Sequence, residues 1–170
     1  YDCTFIKGNK EIYWQDYRER GEKGWEDQNS TTGALLYGYR RLTGRDLAFF
    51  GSLPITRVAG VEGLPQFTLC HGSPKRVNED MRPDMAQTYM YMETAKTEYI
   101  LCGHTHEQLK MAHAGRCLCN PGSVGMPLQS GGRTQFLVLD GAPGQWKEEF
   151  ISLEYDVERV IAELREERME

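Results

Sequence analysis

No run of apolar residues in this sequence approaches the roughly 20 needed to cross a bilayer as a helix, and residues 1–7 lack the charged-then-apolar pattern of a secretory leader. A protein that is neither membrane-embedded nor secreted is expected, and so a cytoplasmic one. Basic charge is not in excess either. Lys and Arg number 20 against 25 Asp and Glu, for a formal net charge of -5, so no global field draws the chain to nucleic acid or to an anionic membrane. Cysteine pairs at CxxC spacing are missing. The five cysteines, Cys3, Cys70, Cys102, Cys117 and Cys119, are odd in number, and a chain of this size needs no disulfide to hold a core. They are expected as reduced, mostly buried thiols. Cys117 and Cys119 flank Leu118 on one face of a strand, where metal ligation and small core packing both stay open. Histidine is scarce as well, four in all, which makes their positions informative.

Hydrophobic residues at 39% and charged ones at 26% lie close to ordinary globular composition, so the chain should fold. One domain over residues 1–170 is expected, with a helical insertion at roughly 11–53. Residues 1–6 read as a short strand running into a loop at Gly8 and Asn9. The first residue is not methionine, and the domain is expected to be incomplete at its N-terminus. Helical spacing follows at Ile12, Trp14 and Tyr17, at 34–42, and at Leu47, Phe49 and Phe50 after a capping Thr43. Gly21, Gly24, Gly33 and Gly44 punctuate these helices, and Pro54 ends the last. Short strands are then expected at 55–58, 66–70, 99–102, 116–119, 134–139 and 148–153, with a helix at 84–97. A closing helix at 156–168 carries Val157, Val160, Ile161 and Leu164 as an apolar stripe, expected to dock on a sheet.

The strongest chemical signal is Leu101-Cys102-Gly103-His104-Thr105-His106. On an extended backbone residues two apart point the same way, so both imidazoles are expected to project into one space as ligands for a divalent metal. A second apolar strand runs into His71-Gly72-Ser73-Pro74. Open α/β sheets collect functional groups at the carboxyl ends of strands, where histidines from separate strands converge. Asn9, after Gly8, offers a carboxamide oxygen to a metal or serves only as a turn residue. Asn120-Pro121-Gly122-Ser123-Val124-Gly125 either shapes the floor of a site or turns the chain. His113, between Met111 and Gly115, reads as a surface residue in a turn.

Taken in order, Gly8-Asn9-Lys10-Glu11, His71-Gly72-Ser73-Pro74, Gly103-His104-Thr105-His106 and Asn120-Pro121-Gly122-Ser123-Val124 resemble the later motifs of the calcineurin-like metallophosphoesterases, above all the small bacterial and archaeal phosphodiesterase branch. The resemblance spans nearly the whole chain. It implies an α/β fold, a four-layer αββα sandwich, with two divalent transition metals (Mn, Fe, Zn or Ni) at the strand ends. Asn9, His71 and His104 would bind one and His106 the other, and a metal-activated water would hydrolyse a phosphate ester or nucleotide, as a phosphodiesterase or a phosphatase. Histidine ligands disfavour calcium.

Two departures qualify the resemblance. The family's aspartate-histidine pair and bridging aspartate precede the asparagine motif, and neither is in this sequence. With no motif carboxylate, the chain alone is expected to bind at most one divalent metal, weakly. The second departure is Lys10, where many relatives carry a histidine held to protonate the leaving oxygen. Lys10 is a candidate catalytic group in that place or a solvated surface lysine. Arg76 is a candidate phosphate contact, and Lys75 a weaker one. Tyr13, Trp14, Tyr17 and Trp25 could stack on a base, although aromatics at helical spacing usually pack a core. Two rivals remain: a non-catalytic protein-binding scaffold on the same fold, as in the retromer complex, and an inactive fragment of the enzyme. A homo-oligomer is compatible with the pattern.

Overall fold

The computed structural model describes residues 3–20, 30–126, 128–142 and 144–166. The expected breaks at Gly21 and Gly24, and Trp25, lie outside them. The chain divides into two compact units, one of residues 1–8 and 54–155 and the other of residues 9–53 and 156–170.

The first unit is built on a five-stranded sheet in the order β1-β2-β3-β5-β4, where β1 is Thr56–Ala59, β2 Phe67–Cys70, β3 Tyr99–Leu101, β4 Gln108–His113 and β5 Arg116–Pro121. The three central strands β2, β3 and β5 run parallel, and the edges β1 and β4 pair antiparallel to them. Register sets the two faces. Thr68, Ile100 and Leu118 lie side by side on one face, and there they join Cys70, Cys102 and the helix α4 (Ala86–Thr94), whose Tyr91 and Met92 close the core with Met81. Met92, Ile100 and Leu118 are wholly removed from water, which stabilises the fold by about 2 kcal/mol each. On the other face Leu69, Leu101 and Cys119 align. That face meets the antiparallel hairpin of β6 (Thr134–Ala142) and β7 (Gln145–Leu153). Trp146 packs edge-on against Phe67, its ring centre 5.9 Å away, and its Nε1–H donates to the Pro65 carbonyl at 2.8 Å. Helix, mixed sheet and hairpin thus form layers, as an α/β fold requires.

Three expectations need correction in this unit. Residues 3–8 form no strand; Lys7 N–H donates to the Pro54 carbonyl at 2.8 Å, but no ladder develops. His113, read as a turn residue, instead closes the edge strand β4, where no strand was expected. Its hairpin to β5 turns at Ala114 and Gly115, both with positive φ (50° and 72°), the conformation that a tight two-residue hairpin demands. His113 therefore ends a strand opposite Arg116, and its Nε2 lies 2.9 Å from Glu93 Oε1. The third correction concerns 104–106 and belongs to the site.

In the second unit, α1 (Asn9–Glu19), α2 (Ser30–Tyr39) and α3 (Gly44–Ser52) use their aromatics as core. Trp14 stacks on Phe50 at 5.7 Å and donates to the Leu35 carbonyl at 2.9 Å, while Tyr17 meets Tyr39 edge-on at 4.7 Å. Thr43 caps α3 as expected, in a reciprocal capping box with Asp46. The helix stops at Ser52 because Leu53, held extended before Pro54, cannot continue it. The last helix, α5 (Val157–Glu166), belongs to this unit and has no fully buried residue.

Candidate metal centre

The strands β2 and β3 end side by side, Leu69 opposite Leu101, and the pairing persists one step further as Gly103 N–H donates to the His71 carbonyl at 2.7 Å. Parallel register thus delivers His71 and the 103–106 loop to the same sheet edge. The rings of His71 and His104 lie 5.3 Å apart, inclined at 64°. The backbone beyond Leu101 is not extended, however. His104 and His106 both have left-handed backbones, with φ of 67° and 59°, so the alternation argument for their shared direction does not hold. A left-handed residue other than glycine costs about 1 kcal/mol, and two within three residues persist only where the surroundings dictate them.

Asn120 is the residue that does so. Fully buried at the end of β5, it donates through Nδ2 to the Gly103 carbonyl at 2.6 Å and to Thr105 Oγ1 at 3.0 Å, while its Oδ1 accepts from Gly122 N–H at 3.0 Å. Of the two readings of the Asn120–Gly125 segment, the structure favours the floor of a site. The same segment reaches His106, whose Nδ1 lies 2.8 Å from the Met126 carbonyl. In the tautomer that donates there, Nε2 keeps a free lone pair for a metal. The loop after His71 is equally constrained. A Cβ on Gly72 would sit 2.7 Å from the carbonyl oxygens of Arg76 and Val77 and 2.8 Å from that of Glu79, so only glycine fits. Buried Ser73 braces the turn, its Oγ accepting from the Lys75 and Arg76 amides at 3.2 and 3.1 Å.

Over residues 2–142 the sequence matches the family model of the calcineurin-like phosphoesterase superfamily domain. The chain belongs to that superfamily. Among relatives, it is similar to an uncharacterized protein of Methanocaldococcus jannaschii, 23% identical over 99% of this chain and 72% of that protein. Its fold is similar to that of a hypothetical protein of Pyrococcus horikoshii (TM-score 0.75, 20% identity, 97% of this chain and 68% of that one) and of a metallophosphoesterase from Sphaerobacter thermophilus (TM-score 0.74, 21% identity, 95% and 70%). The fold is that of the metallophosphoesterases, and divalent metals are general cofactors of the superfamily.

The histidines at these strand ends are donors of the type that a divalent ion takes. Burial pushes the His71 imidazole down to about 4, with further depression from the neighbouring His104 and His106 charges, so it is neutral and able to ligate at neutral pH. His71 also lines an apolar cavity of about 340 Å³ with Ile6, Leu69, Leu137 and Leu139. Among the described residues, no three His, Cys, Asp or Glu donors of the histidine group lie within 4.8 Å of one another, so the group is more open than a closed ligand set. Asn9 and Lys10 open α1 in the second unit, Asn9 half-buried and Lys10 exposed. Arg76 is exposed on the loop after His71, where its charge faces Glu79.

Sequence reasoning missed the carboxylates. Asp80 Oδ1 lies 3.5 Å from His104 Nε2, and its Oδ2 accepts from Arg82 Nε at 2.9 Å. Arg82 also grips Glu107 at 2.6 Å, and Glu107 accepts in turn from Gln129. Glu107 could have been found, since it directly follows His106. Asp80, nine residues beyond His71 in an irregular loop, offers no periodicity that would reveal it.

Proposed function

We propose that the full-length protein works as a metal-dependent phosphoesterase, a phosphodiesterase or phosphatase acting on a phosphate ester or nucleotide, with Asn9, His71, His104 and His106 among the ligands for a pair of divalent transition ions (Mn, Fe, Zn or Ni). The observation that carries the reading is the meeting of His71 and His104 at the ends of two parallel strands, beside a loop that holds both of its histidines in a left-handed conformation. When bound, such ions polarise the phosphoryl oxygens and make a water acidic enough to attack at neutral pH.

The chain's own residues supply the rest. Neutral His71 presents a lone pair without first losing a proton. Asn120 holds the 103–106 loop so that its histidines need little reorganisation on ligation. Asp80 beside His104 adds negative charge that favours a cation held there. Arg76 is assigned to the substrate phosphate, and Lys10 to the leaving oxygen. A group that acts there works in the transition state, so Lys10→Ala is expected to lower kcat more than it raises KM.

The test is hydrolysis of bis(p-nitrophenyl) phosphate and p-nitrophenyl phosphate by the full-length protein, with metal content measured alongside. Manganese-dependent turnover, lost on chelation and in His104→Ala and His106→Ala, is expected. A metal-loaded protein that hydrolyses neither compound would sink the catalytic reading and leave a binding role on the same fold.

A further inference from the structure

The phosphoesterase reading leaves Cys117 and Cys119 unused, yet they stand in an unusual arrangement. Two apart on the extended strand β5, they turn both thiols to one face, where the sulfurs lie 3.6 Å apart as free cysteines. Glu148 of β7 brings its Oε1 to 3.7 Å from Cys117 Sγ, and the three donor atoms all lie within 4.8 Å of one another. These edges can be set against a coordination polyhedron. A tetrahedral ion with bonds of about 2.3 Å to sulfur and about 2.1 Å to oxygen separates two sulfurs by about 3.8 Å and a sulfur and an oxygen by about 3.6 Å. The Cys117–Cys119 and Cys117–Glu148 edges match these values, and the Cys119–Glu148 edge lies within 4.8 Å.

We propose that Cys117, Cys119 and Glu148 form a second metal site, for a thiophilic divalent ion of the zinc class, that clasps the five-stranded sheet to the β6–β7 hairpin. The surroundings are prepared for it. Lys110, opposite Cys119 on β4, donates to Glu148 Oε2 at 2.8 Å, which turns Oε1 toward the thiols. Two thiolates and a carboxylate carry three negative charges; a divalent ion and the Lys110 ammonium carry three positive ones. A partly buried cluster is thereby neutral with the ion bound, as low-dielectric surroundings require. The Cys119 thiol donates to the Cys117 sulfur, which holds Cys117 below the usual thiol range and raises Cys119. Each loses its proton to solvent on binding, so affinity rises with pH. Half-buried Cys117 and the exposed Lys110 give the ion an entry, and water completes the fourth position.

Cobalt titration of the metal-stripped, reduced full-length protein tests this. One equivalent should produce a thiolate-to-cobalt charge-transfer band that zinc displaces, and zinc should raise the melting temperature. The band should persist in the His104→Ala/His106→Ala variant, weaken at least tenfold in affinity in Glu148→Gln, and vanish in Cys117→Ser. Because Cys117 is half-buried on the sheet face, circular dichroism of Cys117→Ser and retention of manganese binding serve as the folding check, with Cys117→Ala as the second variant. Absence of any thiolate band, its survival in both Cys117 variants, its loss with the two histidines, or an unchanged affinity in Glu148→Gln would overturn the proposal. Failure here leaves the histidine centre intact, since that centre is read from manganese-dependent turnover.

Discussion

Two regions of the same sheet place metal-type donors by different means. At the carboxyl ends of β2 and β3, His71, His104 and His106 are set by irregular loops, each held by specific hydrogen bonds and one by a glycine that no other residue could replace. On the face of β5, Cys117 and Cys119 are set by strand alternation alone, with Glu148 carried in by the facing hairpin. Loop placement is strained and depends on a few buried polar contacts; strand placement is relaxed and depends on the whole sheet. The first kind suits a site that must be shaped to a substrate, and the second a site that only has to hold two layers together.

The contrast should break most visibly at Asn120. Asn120→Ala leaves the Gly103 carbonyl and the Thr105 hydroxyl without their buried donor and the Gly122 amide without its acceptor. We expect a loss of about 2–3 kcal/mol in stability by denaturant melts, together with loss of manganese binding at the histidines. The thiolate-cobalt band should remain. If both donor sets fail together, the two regions are not independently positioned.

A smaller effect concerns pH. The unfolded chain protonates His71 near 6.5, whereas the folded one does so only at about 4. Unfolding therefore takes up a proton between those values, so stability falls as pH drops from about 6.5 to about 4 and levels off below. With allowance for solvent screening around a half-buried ring, the contribution is about 2 kcal/mol. Melts of the metal-free protein across that window should show it, and His71→Gln should flatten the slope. An equal slope in the variant would place the depression elsewhere.

The smallest expected effect sharpens the point about strain. At an ordinary position glycine destabilises a folded chain relative to alanine, but at φ 67° the order reverses. His104→Gly should be more stable than His104→Ala by about 1 kcal/mol in denaturant melts, with both unable to bind manganese at that centre. The ordinary order would show that the loop relaxes once the imidazole is gone.

Much of this was legible in advance where chemistry is local. The apolar strands ending in His71 and in Gly103-His104, the capping Thr43 and the stop at Pro54 all follow from neighbouring residues, because strand ends, caps and proline boundaries are decided within a few positions. The hairpin at Ala114 and Gly115 hid β4 because alanine in a left-handed turn carries no sequence signal. The left-handed turn at His104 and His106 was hidden for a different reason: its cause, Asn120, lies 15 residues from Thr105 along the chain.

The sequence by itself determined membership of the calcineurin-like phosphoesterase superfamily and offered His71, His104 and His106 as candidate ligands, since the motifs that carry both are contiguous. Only the tertiary structure decided that Asp80 and Arg82 stand beside His104, that Asn120 locks the loop, and that Glu148 faces two cysteines some thirty positions earlier. Such contacts are set by the register between strands and by the packing of one layer on another. Neither leaves a periodic trace in the chain, because a side chain that meets its partner through space is constrained by that partner and not by its neighbours in sequence.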